Sequence, residues 1–314
     1  MARRNDDDPR RFLDPKVIAR ISQLDLRARQ VVEGFLSGQH KSPVYGQSVE
    51  FVQHREYIPG DDLRRIDWKV WQRSDKFVIK QYEAETNLRS YVVVDCSESM
   101  LYGQDRHRKA GTLFKYDYAA TAAACLSYLT TKQQDSCGLI TFDEDVRQVI
   151  PPRSSQLHLD AVIKALHVSK PRSKTDPFKI LRRVAESMPN RGLVLIFSDL
   201  LCDREPLFKG LEMLRHRRHD VMVFHVLDDD ELLFPFSGMT KFEGLEELPD
   251  LLCDPKALRD SYLEVLEEYL VEVRRGCTKI GIDYNLIRTS DYLDAVLARF
   301  LYARMSQRAT PVRK

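Results

Sequence analysis

No stretch of this chain approaches the roughly 20 consecutive apolar residues that a membrane-crossing helix needs, so membrane insertion is not expected. The cysteines, at 96, 125, 137, 202, 253 and 277, contain no C-x-x-C pair and no zinc-like spacing. That pattern excludes a ribbon-type metal site and suits reduced thiols packed in a core. The opening M-A-R-R-N-D-D-D-P-R-R has no hydrophobic segment behind it, and the expectation is a cytoplasmic protein. Excess charge of one sign is also missing: charged residues make up 31% of the chain but cancel to +2. No field for holding nucleic acid or a membrane surface is therefore expected, and the basic run Arg215 to His219 falls at a helix end, where cations offset the helix dipole. There is no internal repeat. The phosphate loop G-x-x-x-x-G-K-[ST], the nucleophile elbow G-x-S-x-G and the metalloprotease helix H-E-x-x-H are all lacking, so nucleotide hydrolysis would belong to a partner.

What is present is enough apolar sequence, 43% of 314 residues, for one large domain with an appendage. Residues 1–87 read as a smaller α+β region. Within it, a helix is expected from Pro15 to about Glu33, a turn at Pro59-Gly60-Asp61 and a strand at Phe77 to Tyr82. From Ser90 short apolar runs alternate with helical periods, the signature of crossover units in a parallel sheet. Strands are expected at 91–94, 138–142, 193–197, 221–227 and 282–287, with an edge strand at 146–150. Helices are expected near 116–131, 156–167, 178–188, 206–217, 255–275 and 292–305. The fold class is thus α/β, a three-layer, doubly wound, mostly parallel sheet over residues 88–305. A small hairpin insertion is expected near 231–248, around Ser237-Gly238, and a flexible tail over 306–314.

The segment Tyr91 to Met100, Y-V-V-V-D-C-S-E-S-M, carries the chemistry. Its unbroken apolar run suits a strand covered on both faces, so Asp95 sits where a buried strand surfaces. Burying a carboxylate there is costly without a cation or several donors, and Ser97 and Ser99 supply hydroxyls, a set suited to a hard divalent cation. Other expected strands also end in acid, at Asp143, Asp199 and Asp228, where aspartate commonly serves as a helix cap. Thr175, in Ser173-Lys-Thr-Asp-Pro177, lies in a loop before the strand that ends at Asp199. Proline at a first helical position makes Thr175 or Asp176 a candidate cap as well. In chain order, D-x-S-x-S, T and D resemble the metal-ion-dependent adhesion site of von Willebrand factor A domains. The resemblance implies that Ser97, Ser99 and Thr175 ligate Mg2+ or Mn2+ directly, while Asp95 and Asp199 hold coordinated waters or bind directly. It further implies recognition of a carboxylate offered by another protein, without catalysis. Cys96 is expected to pack inward, because magnesium prefers oxygen.

A second resemblance covers nearly the whole chain. H-R-E-Y-I-P-G-D-D-L-R-R-I-D-W, from His54 to Trp68, followed by K-Q-Y-E-A-E, is similar to the signature of a bacterial group, domain-of-unknown-function family 58. Many relatives carry membrane segments ahead of this signature; their absence here implies the soluble, shorter branch. Members commonly accompany MoxR-type AAA+ ATPases, which implies such a partner and a chaperone-like role in assembling a complex. Within the signature, Arg55, Tyr57, Gly60, Asp61, Arg65, Asp67 and Trp68 are structural or partner-binding candidates. An ion-pair network of Arg55, Arg65, Asp61 and Asp67 is expected, with Trp68 and Trp71 packed beneath it.

Two other chemistries compete. A haloacid-dehalogenase-type phosphohydrolase would use Asp95 as nucleophile, but its second aspartate, two residues on, is replaced by Ser97. A two-metal nuclease built on Asp61, Asp62 and Asp67 would need carboxylates converging in a cleft, and these share a segment rich in arginine. The histidines are scattered, and His225, inside an apolar strand, reads as a core imidazole.

Overall fold

β1 (Val49–Glu56) pairs antiparallel with β2 (Val78–Ala84) across an irregularity between Phe51 and Gln53. Between them lies the short helix α1 (Trp68–Ser74), started by Asp67, whose side chain accepts from the amides of Lys69 and Val70. The computed structural model describes residues 49–58, 66–84, 89–132, 134–169, 171, 177–244 and 250–297, which fall into two compact units, 49–84 and 89–297. The helix expected at 15–33, the tail 306–314, the side chain of Arg55 and residues Gly60, Asp61, Asp62, Arg65 and Thr175 lie outside the described residues. One expectation is corrected in the smaller unit. Trp68 and Trp71 are 55% and 37% exposed and meet edge to face, so they are not packed away from solvent as expected. Asp67 caps the helix, and among the described residues of this unit Ile66 and Val78 are buried apolar side chains.

The larger unit begins with β3 (Arg89–Asp95), a 3-10 turn at Glu98–Leu101, α2 (Gln104–Ala110) and α3 (Lys115–Lys132). It continues through β4 (Ser136–Phe142), β5 (Val146–Arg153), α4 (Gln156–Val168), α5 (Pro177–Ser187), β6 (Leu193–Ser198) and α6 (Arg204–His216). The described chain ends with β7 (Asp220–Leu227), α7 (Asp229–Leu233), β8 (Thr240–Phe242), β9 (Leu251–Cys253), α8 (Pro255–Ile280), β10 (Asp283–Arg288) and helical residues 293–297. The six-stranded sheet runs β10-β7-β6-β3-β4-β5, parallel throughout except for antiparallel β5 at one edge. This is the expected α/β fold, a doubly wound and mostly parallel sheet.

Because side chains alternate across a strand, β3 feeds two cores. Val92 and Val94 pack with α3 and α4, whereas Tyr91 and Val93 pack with α5, α6 and α8. Val92, Val93 and Val94 are wholly buried, and each such side chain contributes about 1.5–3 kcal/mol relative to exposure. Helix α3 is buried nearly all round, and its alanines 119, 120, 122, 123 and 124 let it lie close against the sheet. Gly138 serves a similar closeness in β4, since a Cβ there would stand 2.8 Å from the Ile150 carbonyl oxygen of β5.

The hairpin expected around Ser237-Gly238 is displaced. β8 pairs with β9, so Gly238 precedes the first strand, and the connection spans 243–250. Its anchor is aromatic: Phe234 stacks on Phe242 at 5.7 Å and meets Tyr262 of α8 at 4.5 Å.

Candidate metal centre at the strand switch point

The chain leaves β3 toward β4 and β5 on one side, and β6 leads to β7 and β10 on the other. The order therefore reverses between β3 and β6, where open α/β sheets bind ligands outside their carboxyl ends. Asp95 ends the first of these neighbouring strands and Asp199 follows the second. Both are almost fully buried. Asp95 Oδ1 accepts from the Ser97 amide at 2.8 Å, and Asp95 Oδ2 accepts from the Ser198 hydroxyl at 2.5 Å. Ser97 Oγ and Ser99 Oγ stand 3.0 Å apart, within hydrogen-bond distance of each other. All of these residues line one pocket of about 480 Å³, including its open mouth, whose inner wall is apolar and includes Phe142, Ile196 and Leu207.

The electrostatics of the two acids differ. Burial, and then the Asp199 carboxylate nearby, push the Asp95 carboxyl above the usual range against the bonds from Ser198 and Ser97. Burial acts on Asp199 in the same direction but is outweighed, because Lys115 beside it holds its carboxyl below the usual range. Lys115 Nζ donates to Asp199 Oδ2 at 2.7 Å and to Glu231 Oε1 at 2.8 Å, and this lysine is wholly buried at the start of α3. Glu231 in turn closes a capping box at α7: its Oε2 accepts from the Asp228 amide at 2.7 Å. Burial pushes the Glu231 carboxyl up despite the lysine.

The remaining strand-end acids are structural. Asp228 caps α7, and its carboxylate is held by Arg106 at 2.7 Å, His107 at 2.6 Å and Thr289 at 2.9 Å. Asp143 pairs with Arg147 and accepts from the amide of Asp145. His225 is buried in β7 with Nδ1 2.8 Å from the Tyr284 hydroxyl, and Cys96 is wholly buried.

Asp95, Ser97, Ser99 and Asp199 thus come together, while Thr175 lies outside the described residues. The spacing of the hydroxyls bears on a cation. Two neighbouring ligands of an octahedral magnesium, each at about 2.1 Å, are about 3.0 Å apart, and the serine oxygens show that separation. Each hydroxyl has one proton and two lone pairs, so each serine oxygen retains a lone pair that a metal can take. Among the described residues no group of three or more His, Cys, Asp or Glu could hold a metal ion by itself, so a cation here would depend on the serine hydroxyls as well as the carboxylates. The residues present fit a hard divalent cation.

Sequence reasoning missed Lys115, Ser198 and Glu231. Two signals were available. Lys115 is a cation in a first helical turn, where the dipole disfavours it, and it shares a stripe with buried Ala119, Ala122 and Leu126. Asp228 and Glu231 have the D-x-x-E spacing of a capping box.

Residues 53–268 match the family described as "Protein of unknown function DUF58". The uncharacterized protein Rv1480 of Mycobacterium tuberculosis is 27% identical over 299 residues, covering 93% of this chain and 90% of that protein. The uncharacterized protein Mb1516 of Mycobacterium bovis matches to the same extent. Among solved structures, the conserved hypothetical protein BatB from Bacteroides thetaiotaomicron matches with a TM-score of 0.45 and 15% identity, covering 71% of this chain and 98% of that one. A von Willebrand factor type A protein from Catenulispora acidiphila matches with a TM-score of 0.40 and 12% identity, covering 72% and 44%.

Proposed function

This chain belongs to the family of proteins of unknown function DUF58, and on that premise we propose that it is a non-catalytic, divalent-metal-dependent protein-recognition module. The observation that carries this reading is the 3.0 Å pair of Ser97 and Ser99 hydroxyls beside two buried carboxylates at the switch point. Magnesium or manganese held there by Ser97, Ser99 and Thr175, with Asp95 and Asp199 behind, would keep much of its charge, since its inner donors are mainly neutral. Such an ion seeks an anion, and a carboxylate presented by a partner protein supplies one. The working partner we propose is a MoxR-type AAA+ ATPase, with assembly or maturation of a protein complex as the task. The six free thiols suit a reducing compartment, and the proposed location is the cytoplasm. Among the described residues no helix is long and apolar enough to cross a membrane. The phosphohydrolase alternative gains no support, because Ser97 stands where such an enzyme carries its general acid.

The test is thermal unfolding with and without Mg2+. Wild type gains melting temperature with Mg2+, and Asp95→Ala loses that gain while keeping its circular-dichroism spectrum. An unchanged Mg2+ response in the variant rejects the reading. Co-purification from the native cell, in Mg2+ or in chelator, then identifies the partner.

A further inference from the structure

Lys115 has no part in the D-x-S-x-S, T, D pattern, yet its ammonium is the nearest fixed charge that the fold brings to Asp199. Both oxygens of Asp199 are engaged by the protein: Oδ2 by Lys115 at 2.7 Å and Oδ1 by the Leu201 amide at 3.3 Å. The lysine cannot swing away cheaply. It is wholly buried, Glu231 holds it from the other side at 2.8 Å, and the Tyr102 ring lies 5.6 Å from its ammonium. Glu231 is itself fixed by the α7 capping box, whose Asp228 is clamped by Arg106, His107 and Thr289. A carboxylate oxygen committed to an ammonium is a poor metal ligand. Asp95 faces no such cation among these contacts; its bonds come from neutral donors, Ser97 and Ser198.

Resting on the metal-dependent reading above, we infer that Lys115 is a specificity-determining residue: it withholds Asp199 from direct coordination, so that the metal keeps a net positive charge and an open position for an external carboxylate. Glu231 is its positioning partner. The two acids at the switch point then have separate tasks, Asp95 balancing the metal and Asp199 balancing the lysine. A site in which both carboxylates coordinated would hold the ion more tightly and bind an outside acid more weakly, because charge and coordination positions would already be used.

The test compares wild type with the charge-balanced double variant Lys115→Met/Glu231→Gln, which removes one positive and one negative charge and leaves Asp199 free. Mn2+ alone is titrated by electron paramagnetic resonance. Acetate is then added, and displacement of metal-bound water is read from water-proton relaxation. The expected result is Mn2+ binding tightened at least tenfold in the double variant, with acetate binding weakened at least tenfold. Unchanged Mn2+ and acetate affinities overturn the inference while leaving the metal reading intact. Failure of wild type to bind Mn2+ overturns both. Should the double variant not fold, Glu231→Gln alone decides: with its second partner neutral, Lys115 holds Asp199 harder, so Mn2+ binds several-fold more weakly and acetate more tightly, whereas tighter Mn2+ binding contradicts the assignment.

Discussion

The ammonium of Lys115 lies 2.7 Å from Asp199 Oδ2, joining the first turn of α3 to the end of β6 across 84 residues of chain, with both side chains buried. An ion pair removed from water stabilises little when intact, but losing one partner strands a charge in a low-dielectric interior. Here removal of the lysine strands two, Asp199 and Glu231.

Lys115→Met is therefore expected to lower unfolding free energy by about 3–5 kcal/mol, measured by urea denaturation without divalent metal. A loss below about 1 kcal/mol would mean that Lys115 behaves as a surface lysine does.

His225 sets an acid limit on the fold. Burial pushes its imidazole down to about 4, below the ordinary value of 6.5, with only partial opposition from Asp199. Between those values the unfolded chain binds the proton and the folded chain does not, so this group's stabilising effect is complete above pH 6.5 and falls as the pH drops. The loss reaches about 3 kcal/mol near the folded value. Nuclear magnetic resonance of the imidazole protons should find His225 neutral at about pH 5.5, inside that window. A titration midpoint above 6 would contradict the burial account.

The chain has only two tryptophans, and both are in α1. Their exposure predicts Trp emission readily quenched by acrylamide in the native protein, and their edge-to-face contact at 6.0 Å predicts an exciton couplet in circular dichroism that Trp68→Phe or Trp71→Phe removes. Quenching no stronger than for a core tryptophan would contradict the observed exposure. Because Asp67 caps this helix, Asp67→Ala should weaken the unit by about 1 kcal/mol.

Much of the sheet was legible because its signals are local. Y-V-V-V before Asp95 has to be a strand buried on both faces, and it is; α4 and α6 fall within a few residues of the helices their periodicity implies. Short elements were not legible. α1 and α2 span seven residues each and α7 spans five, too few turns for a period to register, and the hairpin is set by Phe234, Phe242 and Tyr262 meeting from distant positions. In the site, Asp95, Ser97 and Ser99 stand out because their spacing is local. Lys115 is locally odd as a cation in a first helical turn, but nothing near it in the chain announces partners at 199 and 231.

Metal placement tests the central claim most directly. Crystals grown with Mn2+ and measured at its absorption edge should show an anomalous peak about 2.1 Å from both the Ser97 and Ser99 hydroxyl oxygens, with Thr175 as a further ligand and at least one position held by water. No peak there, or an ion whose every position is filled by this chain's own side chains, would contradict the account.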